Sequence, residues 1–394
     1  MTAIPPSIAS LPDRFREYRD LLITWCDQNS GSDHATGLKA MLELLVARLS
    51  QLPGSLESVD LAGTSAQALR LRVRPSAPLQ VCLSGHYDTV YSADHPFQRC
   101  SLVDDVTLRG PGVADMKGGL VTMLACLEAF EHTDVAAHLG YEVILSPDEE
   151  IGTPGTAPVL AESAKRHHFG LVFEPSRPEG SMVRTRKGVG TVSVVCRGRA
   201  AHAAIASEGR NAIAALAEYL VAVHKIPREL EGILVNIGRI EGGSSATNIV
   251  PDLARAEIDV RLSRPDDERR LLDRLDELAE PIREREGYRL EVHPHLTRPP
   301  KGTGVAEATA FAAMQKVAND LGFPPLTWVD SSGGSDGNLL YAAGLPNLDG
   351  VGPIGDHLHS DRECLYLPSL MPRAQLVAWF LVRLARGEIT LPRA

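Results

Sequence analysis

The sequence predicts an α/β protein, a mainly parallel sheet sandwiched by helices, with a smaller α+β unit inserted into it. Three observations carry this prediction. Short apolar runs ending in polar residues alternate with helical patterns through the first part of the chain. β-rich runs replace that texture from Ser181 to about Leu296, and helical patterns return after a turn at Pro299, Pro300 and Gly302.

In order along the chain, Leu79 to Ser84 is an apolar run of strand length, and Met116 to Glu131 repeats apolar residues at helical spacing. Glu142 to Ser146 and Phe169 to Phe173 are further strand candidates, and strands separated by helices imply parallel neighbours. The middle of the chain offers strands at Gly190 to Cys196, Ile233 to Ile240 and Ala254 to Leu262, with helices at Asn211 to His224 and Pro265 to Glu286. Two more helices are expected near Val305 to Leu321 and Leu367 to Leu384. The predicted boundaries are 1–183 for the first part of the larger domain, 184–298 for the insert and 299–394 for the second part. A chain of 394 residues with 44% hydrophobic content has the material for two such cores.

Composition excludes several functions. A net charge of −10 argues against a nucleic-acid partner, since phosphate binding needs a concentrated basic face and Arg184, Arg186 and Lys187 make only a short cluster. Met1 to Ser10 holds no basic stretch followed by an apolar run, so a cytoplasmic protein is expected. Gly118 to Phe130 is too short to cross a membrane and carries Glu128. The six cysteines form no Cys-x-x-Cys pair, which argues for small core residues over a thiolate metal site or redox motif.

The chemistry gathers at the predicted strand ends. His86 and Asp88 follow the first run, Asp148, Glu149 and Glu150 follow the second, and Glu174 follows the third. In open parallel sheets, ligands collect at the carboxyl ends of strands. Asp115 stands where the glycine-rich Gly110 to Ala114 opens into a helix. A His-x-Asp pair or two adjacent glutamates alone would be ordinary polar residues in water. Their common place at strand ends is what gives them meaning. Crowded carboxylates repel one another and are driven to protonate unless divalent cations hold them ionised. Imidazole and carboxylate without thiolate suit Zn²⁺, with Co²⁺ or Mn²⁺ as substitutes, and fit Ca²⁺ poorly. A carboxylate shared by two ions about 3.5–4 Å apart would make a two-metal hydrolytic centre. Of the adjacent glutamates, one can ligate metal while the other takes the proton of the attacking water.

Four stretches carry a resemblance: Ser84-Gly85-His86-Tyr87-Asp88-Thr89-Val90, Gly110-Pro111-Gly112-Val113-Ala114-Asp115-Met116-Lys117-Gly118-Gly119, Pro147-Asp148-Glu149-Glu150-Ile151-Gly152 and His359-Ser360-Asp361-Arg362-Glu363. Together they resemble the two-domain di-zinc exopeptidases and deacylases, which include glutamate carboxypeptidase, aminoacylase, acetylornithine deacetylase and succinyl-diaminopimelate desuccinylase. The match runs through nearly the whole chain and is nearest to glutamate carboxypeptidase-like members. It implies a zinc exopeptidase-like fold and two divalent ions per chain. His86 and Glu174 become the terminal ligands of one ion, Glu150 and His359 those of the other, Asp115 the bridge and Glu149 the general base. Asp88 becomes the carboxylate that fixes the tautomer of His86, an acceptor that metal-bound imidazoles also need on chemical grounds. His357 competes with His359, which the following Ser-Asp-Arg-Glu favours.

The insert matches through Gly198-Arg199-Ala200-Ala201-His202-Ala203 and Gly209-Arg210-Asn211-Ala212. The resemblance makes it a lid and dimerisation domain, so a homodimer is expected in which His202 reaches the partner's active site and stabilises the developing oxyanion. Asn248, in Thr247-Asn248-Ile249-Val250-Pro251, and Arg298, in Thr297-Arg298-Pro299-Pro300, resemble substrate contacts, and Arg261 lies in a matching strand. A guanidinium fork suits a free α-carboxylate. The glycine-rich Ser332 to Gly337 is a second candidate, through backbone N–H groups, for that carboxylate.

The expected activity is hydrolysis of an amide bond next to a free carboxylate, in a small peptide or an N-acyl amino acid. In the resemblance, glutamate at position 174 accompanies carboxypeptidases and deacylases, whereas aspartate accompanies many aminopeptidases and dipeptidases. A dipeptidase of the same family is the nearest alternative, but no carboxylate is identified to receive a substrate ammonium. A non-catalytic metal-dependent binding protein would have no use for Glu149 as a proton acceptor.

Overall fold

The structure, a computed structural model, describes residues 3–392 and divides into two compact units. The first comprises the chain up to Thr185, Gly302–Ser331 and Ser335 onward, and the second comprises Arg186–Lys301 with Ser332–Gly334.

The first unit is built on an eight-stranded sheet, in the order Ser55–Asp60, Gln67–Val73, Leu139–Ser146, Leu79–His86, Phe169–Val172, Asn347–Asp349, Met182–Arg186 and Trp328–Ser331. Its centre is parallel, with Leu79–His86 between Leu139–Ser146 and Phe169–Val172, and Asn347–Asp349 beside the latter. The margins turn antiparallel: Ser55–Asp60 on Gln67–Val73, that strand on Leu139–Ser146, and Met182–Arg186 on Asn347–Asp349.

Successive strand residues face opposite layers. Val81, Leu83, Val143 and Leu145 belong to the larger core, with residues of helices Phe15–Asp27, Ala35–Leu49, Gly118–Glu131, Val305–Asp320 and Leu370–Ala385. Cys82, Ile144 and Val172 belong to a smaller core with residues of helices Ala157–Ala164 and Asp336–Ala342. Burial on both faces is why the central strands read as continuous apolar runs. Helix Gly118–Glu131 is buried nearly all round, and a Cβ on Gly119 would lie 1.9 Å from the carbonyl oxygen of Phe173. Only glycine lets this helix approach the strand end that leads to Glu174.

The second unit is a four-stranded antiparallel sheet, in the order Ile233–Gly242, Leu253–Leu262, Gly188–Arg197 and Arg289–Arg298. Val192, Val194, Ala256, Ile258 and Val260 share one apolar core with Leu216, Leu220, Leu271 and Leu275 of helices Ala212–Val223 and Asp267–Arg283. The outer strand Arg289–Arg298 contains Pro294, which an edge tolerates. No helix among the described residues is long and apolar enough to cross a membrane.

Candidate metal centre

The three central strands run parallel and end at one edge, with His86 paired to Ser146 and Ser84 to Val172. The residues that follow them therefore arrive together. One ligand atom each from His86, Asp115 and Glu150 lies within 4.8 Å of the others. Asp115 stands between two histidines: Oδ1 is 3.0 Å from His86 Nε2, and Oδ2 is 3.1 Å from His359 Nε2. Glu150 stands 3.1 Å from His359 Nε2, and Glu174 is the nearer of two glutamates around His86 Nε2, at 3.8 Å. Glu149 is buried with an oxygen 4.0 Å from His86 Nε2. His357 lies instead beside its neighbour Asp356, at 3.7 Å.

Asp88 has two tasks. Its carbonyl oxygen is 3.1 Å and its Oδ1 3.3 Å from His86 Nδ1, which leaves Nε2 to face Asp115. Its carboxylate also accepts the N–H groups of Glu149 and Glu150, at 3.1 Å each, and the Ser32 hydroxyl at 2.7 Å. One buried side chain thus orients an imidazole and pins the turn that carries both glutamates.

Asp115 does not begin a regular helix. It lies in the turn Val113–Lys117, entered through Gly112 at φ 68°, and both Asp115 and Met116 have non-helical backbone, so the helix starts at Gly118. Glu363, to which the motif gave no role, ties this turn down. Oε1 accepts from the N–H of Ala114 at 2.9 Å and of Asp115 at 3.0 Å. Oε2 accepts from the N–H of Gly112 at 3.1 Å and from the Tyr91 hydroxyl at 2.8 Å. The meeting is set by local pairing: Cys364–Tyr366 is antiparallel to Thr107–Arg109, the strand that feeds the turn.

Charge follows from this crowding. Burial opposes a charged His86, but its bonds to Asp115 and Asp88 hold it well above the ordinary histidine value. Asp115 and Glu150 push His359 up to about 11. Asp115, despite its burial, is held far below the usual carboxylate range by the two histidines. Burial and the Asp115 charge raise Glu150, and the same two causes push Glu363 up to about 7.

The remaining predicted residues belong to the second unit. His202 and Asn248 are neighbours there: His202 bridges to Ile249, and the N–H of Ala203 donates to the Asn248 carbonyl at 2.8 Å. His202 Nδ1 accepts the N–H of Ala204 at 3.1 Å, so in the neutral ring Nε2 is the proton-bearing donor. Arg261 is engaged by Asp259 of its own strand through two bonds of 3.0 and 2.9 Å. Arg298 is buried at the end of its strand. Two N–H groups of the glycine-rich stretch are already engaged. The N–H of Ser335 donates to Asn338 Oδ1 at 2.9 Å and that of Gly337 to Ser335 Oγ at 3.0 Å, because the stretch caps helix Asp336–Ala342 and spends these donors on itself.

Such a buried cluster of imidazole and carboxylate donors is a candidate centre for metal-dependent hydrolysis of an amide bond. The chain belongs to Peptidase family M20/M25/M40, whose model matches residues 82–383. It is 26% identical over 373 residues to carboxypeptidase G2 of Pseudomonas sp. (strain RS-16), covering 91% of this chain and 87% of that protein. It is also 26% identical over 388 residues to a succinyl-diaminopimelate desuccinylase of Azoarcus sp. (strain BH72), covering 93% and 97%. Among solved structures, a dinuclear metal-binding peptidase of family M20 from Bacillus subtilis shares the fold, with a TM-score of 0.70, 18% identity, and 95% and 99% of the two chains covered.

Proposed function

We propose that the chain holds two divalent ions, Zn²⁺ by preference and Co²⁺ or Mn²⁺ as substitutes, and releases a C-terminal amino acid or deacylates an N-acyl amino acid. One observation carries the reading: the two oxygens of Asp115 face two histidines, and carboxylates of Glu174 and Glu150 stand beside them. His86 and Glu174 would hold one ion, Glu150 and His359 the other. The donor set of imidazole and carboxylate suits these metals. When bound, the ions polarise the scissile carbonyl and lower the pKa of a water.

The chain's own residues supply the rest. Glu149 takes the proton of the attacking water and delivers it to the leaving nitrogen. Asp88 keeps His86 in the tautomer that offers Nε2. Asn248, Arg261 and Arg298 are the candidate substrate contacts, and the guanidinium fork of Arg298 suits the free carboxylate. The relatives named carboxypeptidase and desuccinylase bracket the two forms of the reaction. Turnover of acyl-glutamate, acyl-alanine, acyl-aromatic and free dipeptide substrates, with and without chelator, tests the reading. Cleavage of the free dipeptide alone would overturn it in favour of a dipeptidase.

Loading must also displace protons, because both imidazoles are held charged without metal and coordinate only when neutral. Affinity should therefore weaken as pH falls, and loading at pH 7 should release about two protons per chain. Calorimetry in buffers of different ionisation enthalpy measures the number, and uptake without release would contradict the ligand assignment.

We place the protein in the cytoplasm as a homodimer. Its cysteines are all free, as in a reducing compartment. Leu234 and Ile240 on the edge strand Ile233–Gly242, with Ile213 and Val221 on helix Ala212–Val223, are exposed apolar residues suited to a partner. His202 then serves the partner's metal centre by donating Nε2–H to the developing oxyanion. His202→Ala should keep its metal and lose about 10²–10³-fold in kcat. Mixed with Glu149→Gln, it should recover about a quarter of wild-type activity, since random exchange gives one complete site in half of the dimers. No recovery after confirmed exchange would mean that His202 works within its own chain or only in folding.

A further inference from the structure

We propose that Glu363 is the positioning residue of Asp115, fixing the Gly112–Asp115 backbone so that one carboxylate faces both histidines; this rests on the two-metal reading above. Glu363 is 1% exposed, and each of its oxygens accepts two hydrogen bonds. Three of those four come from the backbone N–H groups of Gly112, Ala114 and Asp115, a turn whose geometry no regular helix supplies. Arg109, in the strand just before this turn, donates to the Asp361 carbonyl at 2.6 Å, and the N–H of Gly110 to the Glu363 carbonyl at 3.2 Å. The Tyr91 hydroxyl also lies 2.8 Å from Ser360 O, so its one proton is shared between the anchor and the His359 loop. The segment that carries Glu363 therefore holds His359 and Asp115 in one frame, and both Glu363 oxygens are engaged by these donors.

The consequence is specific. Because Asp115 serves both ions, loosening it must weaken both together. Glu363→Ala removes all four acceptor contacts and should weaken both ions by about 10–100-fold, the range for residues that orient ligands. Glu363→Gln keeps one acceptor oxygen for Ala114 and Asp115 but turns an NH₂ group toward the N–H of Gly112, so its loss should be smaller. Tyr91→Phe should have the smallest effect.

Three measurements test this on the full-length protein: chelator competition for each ion, the visible spectrum of the Co²⁺ form and the melting of the metal-free protein. The expected result is a parallel loss for both ions, graded Ala above Gln above Tyr91→Phe, with an altered Co²⁺ spectrum. If Glu363→Ala does not fold, Glu363→Gln carries the test alone. Lower melting with both affinities at the wild-type value would make Glu363 a structural residue and overturn the proposal. Loss confined to one ion would also overturn it. Wild-type protein that takes up fewer than two ions would overturn the reading of the site, and this inference with it.

Discussion

Glu149→Gln should leave the metal content unchanged and lower kcat by about 10²–10⁴-fold, the contribution of a positioned general base. The residue is buried beside the cluster, and its oxygen stands 4.0 Å from His86 Nε2, next to Glu174 at 3.8 Å and farther than Asp115 at 3.0 Å. Its backbone N–H is held by Asp88, as is that of Glu150, so the exchange of one oxygen for nitrogen disturbs neither the turn nor its neighbour. A carboxamide of the same shape cannot accept the proton of water. Glu150→Gln should behave differently and release the ion shared with His359, whose Nε2 it approaches at 3.1 Å. Metal analysis beside steady-state kinetics checks both variants. Equal metal content and equal loss of activity in the two would undo the division of roles.

Asp115→Ala should have the larger effect, loss of both ions and activity at background. Each carboxylate oxygen faces a different histidine, so truncation removes the shared ligand from both sides at once. It also removes the largest attraction holding His359 charged, and the imidazole should titrate closer to its ordinary range in the metal-free variant. Elemental analysis and a proton-resonance titration of the histidines measure the two effects. A variant that kept one tightly bound ion would show that Asp115 is a terminal ligand.

The site was legible where chemistry is carried by residue type at strand ends. His86, Glu149, Glu150 and Glu174 follow runs buried on both faces, and such strands announce themselves by apolar continuity. The outer antiparallel strands of the two sheets did not. Ser55–Asp60 is largely exposed and polar, and Arg289–Arg298 is broken by Pro294, so neither shows a run or a clean alternation. The N-terminal helices Phe15–Asp27 and Ala35–Leu49 also went unread, although Tyr18, Leu22, Trp25, Met41 and Leu45 bury themselves in the larger core. Long-range partnerships were illegible for a different reason. That Asp88 would hold the backbone of Glu149 and Glu150, or Glu363 that of Asp115, depends on contacts across 61 and 248 residues that no local pattern encodes. The role of Arg261 was equally hidden, because its pairing with Asp259 follows from two side chains on one strand face.

The central claim is that two ions, bridged by Asp115, activate the hydrolysis of an amide bond. Metal content per chain, measured together with turnover of an N-acyl amino acid through a cycle of chelation and reconstitution, tests it most directly. The account predicts two ions per chain in the active protein, loss of turnover with chelator, and its return with Zn²⁺, Co²⁺ or Mn²⁺ as both sites refill. Full turnover by protein stripped of metal would contradict it.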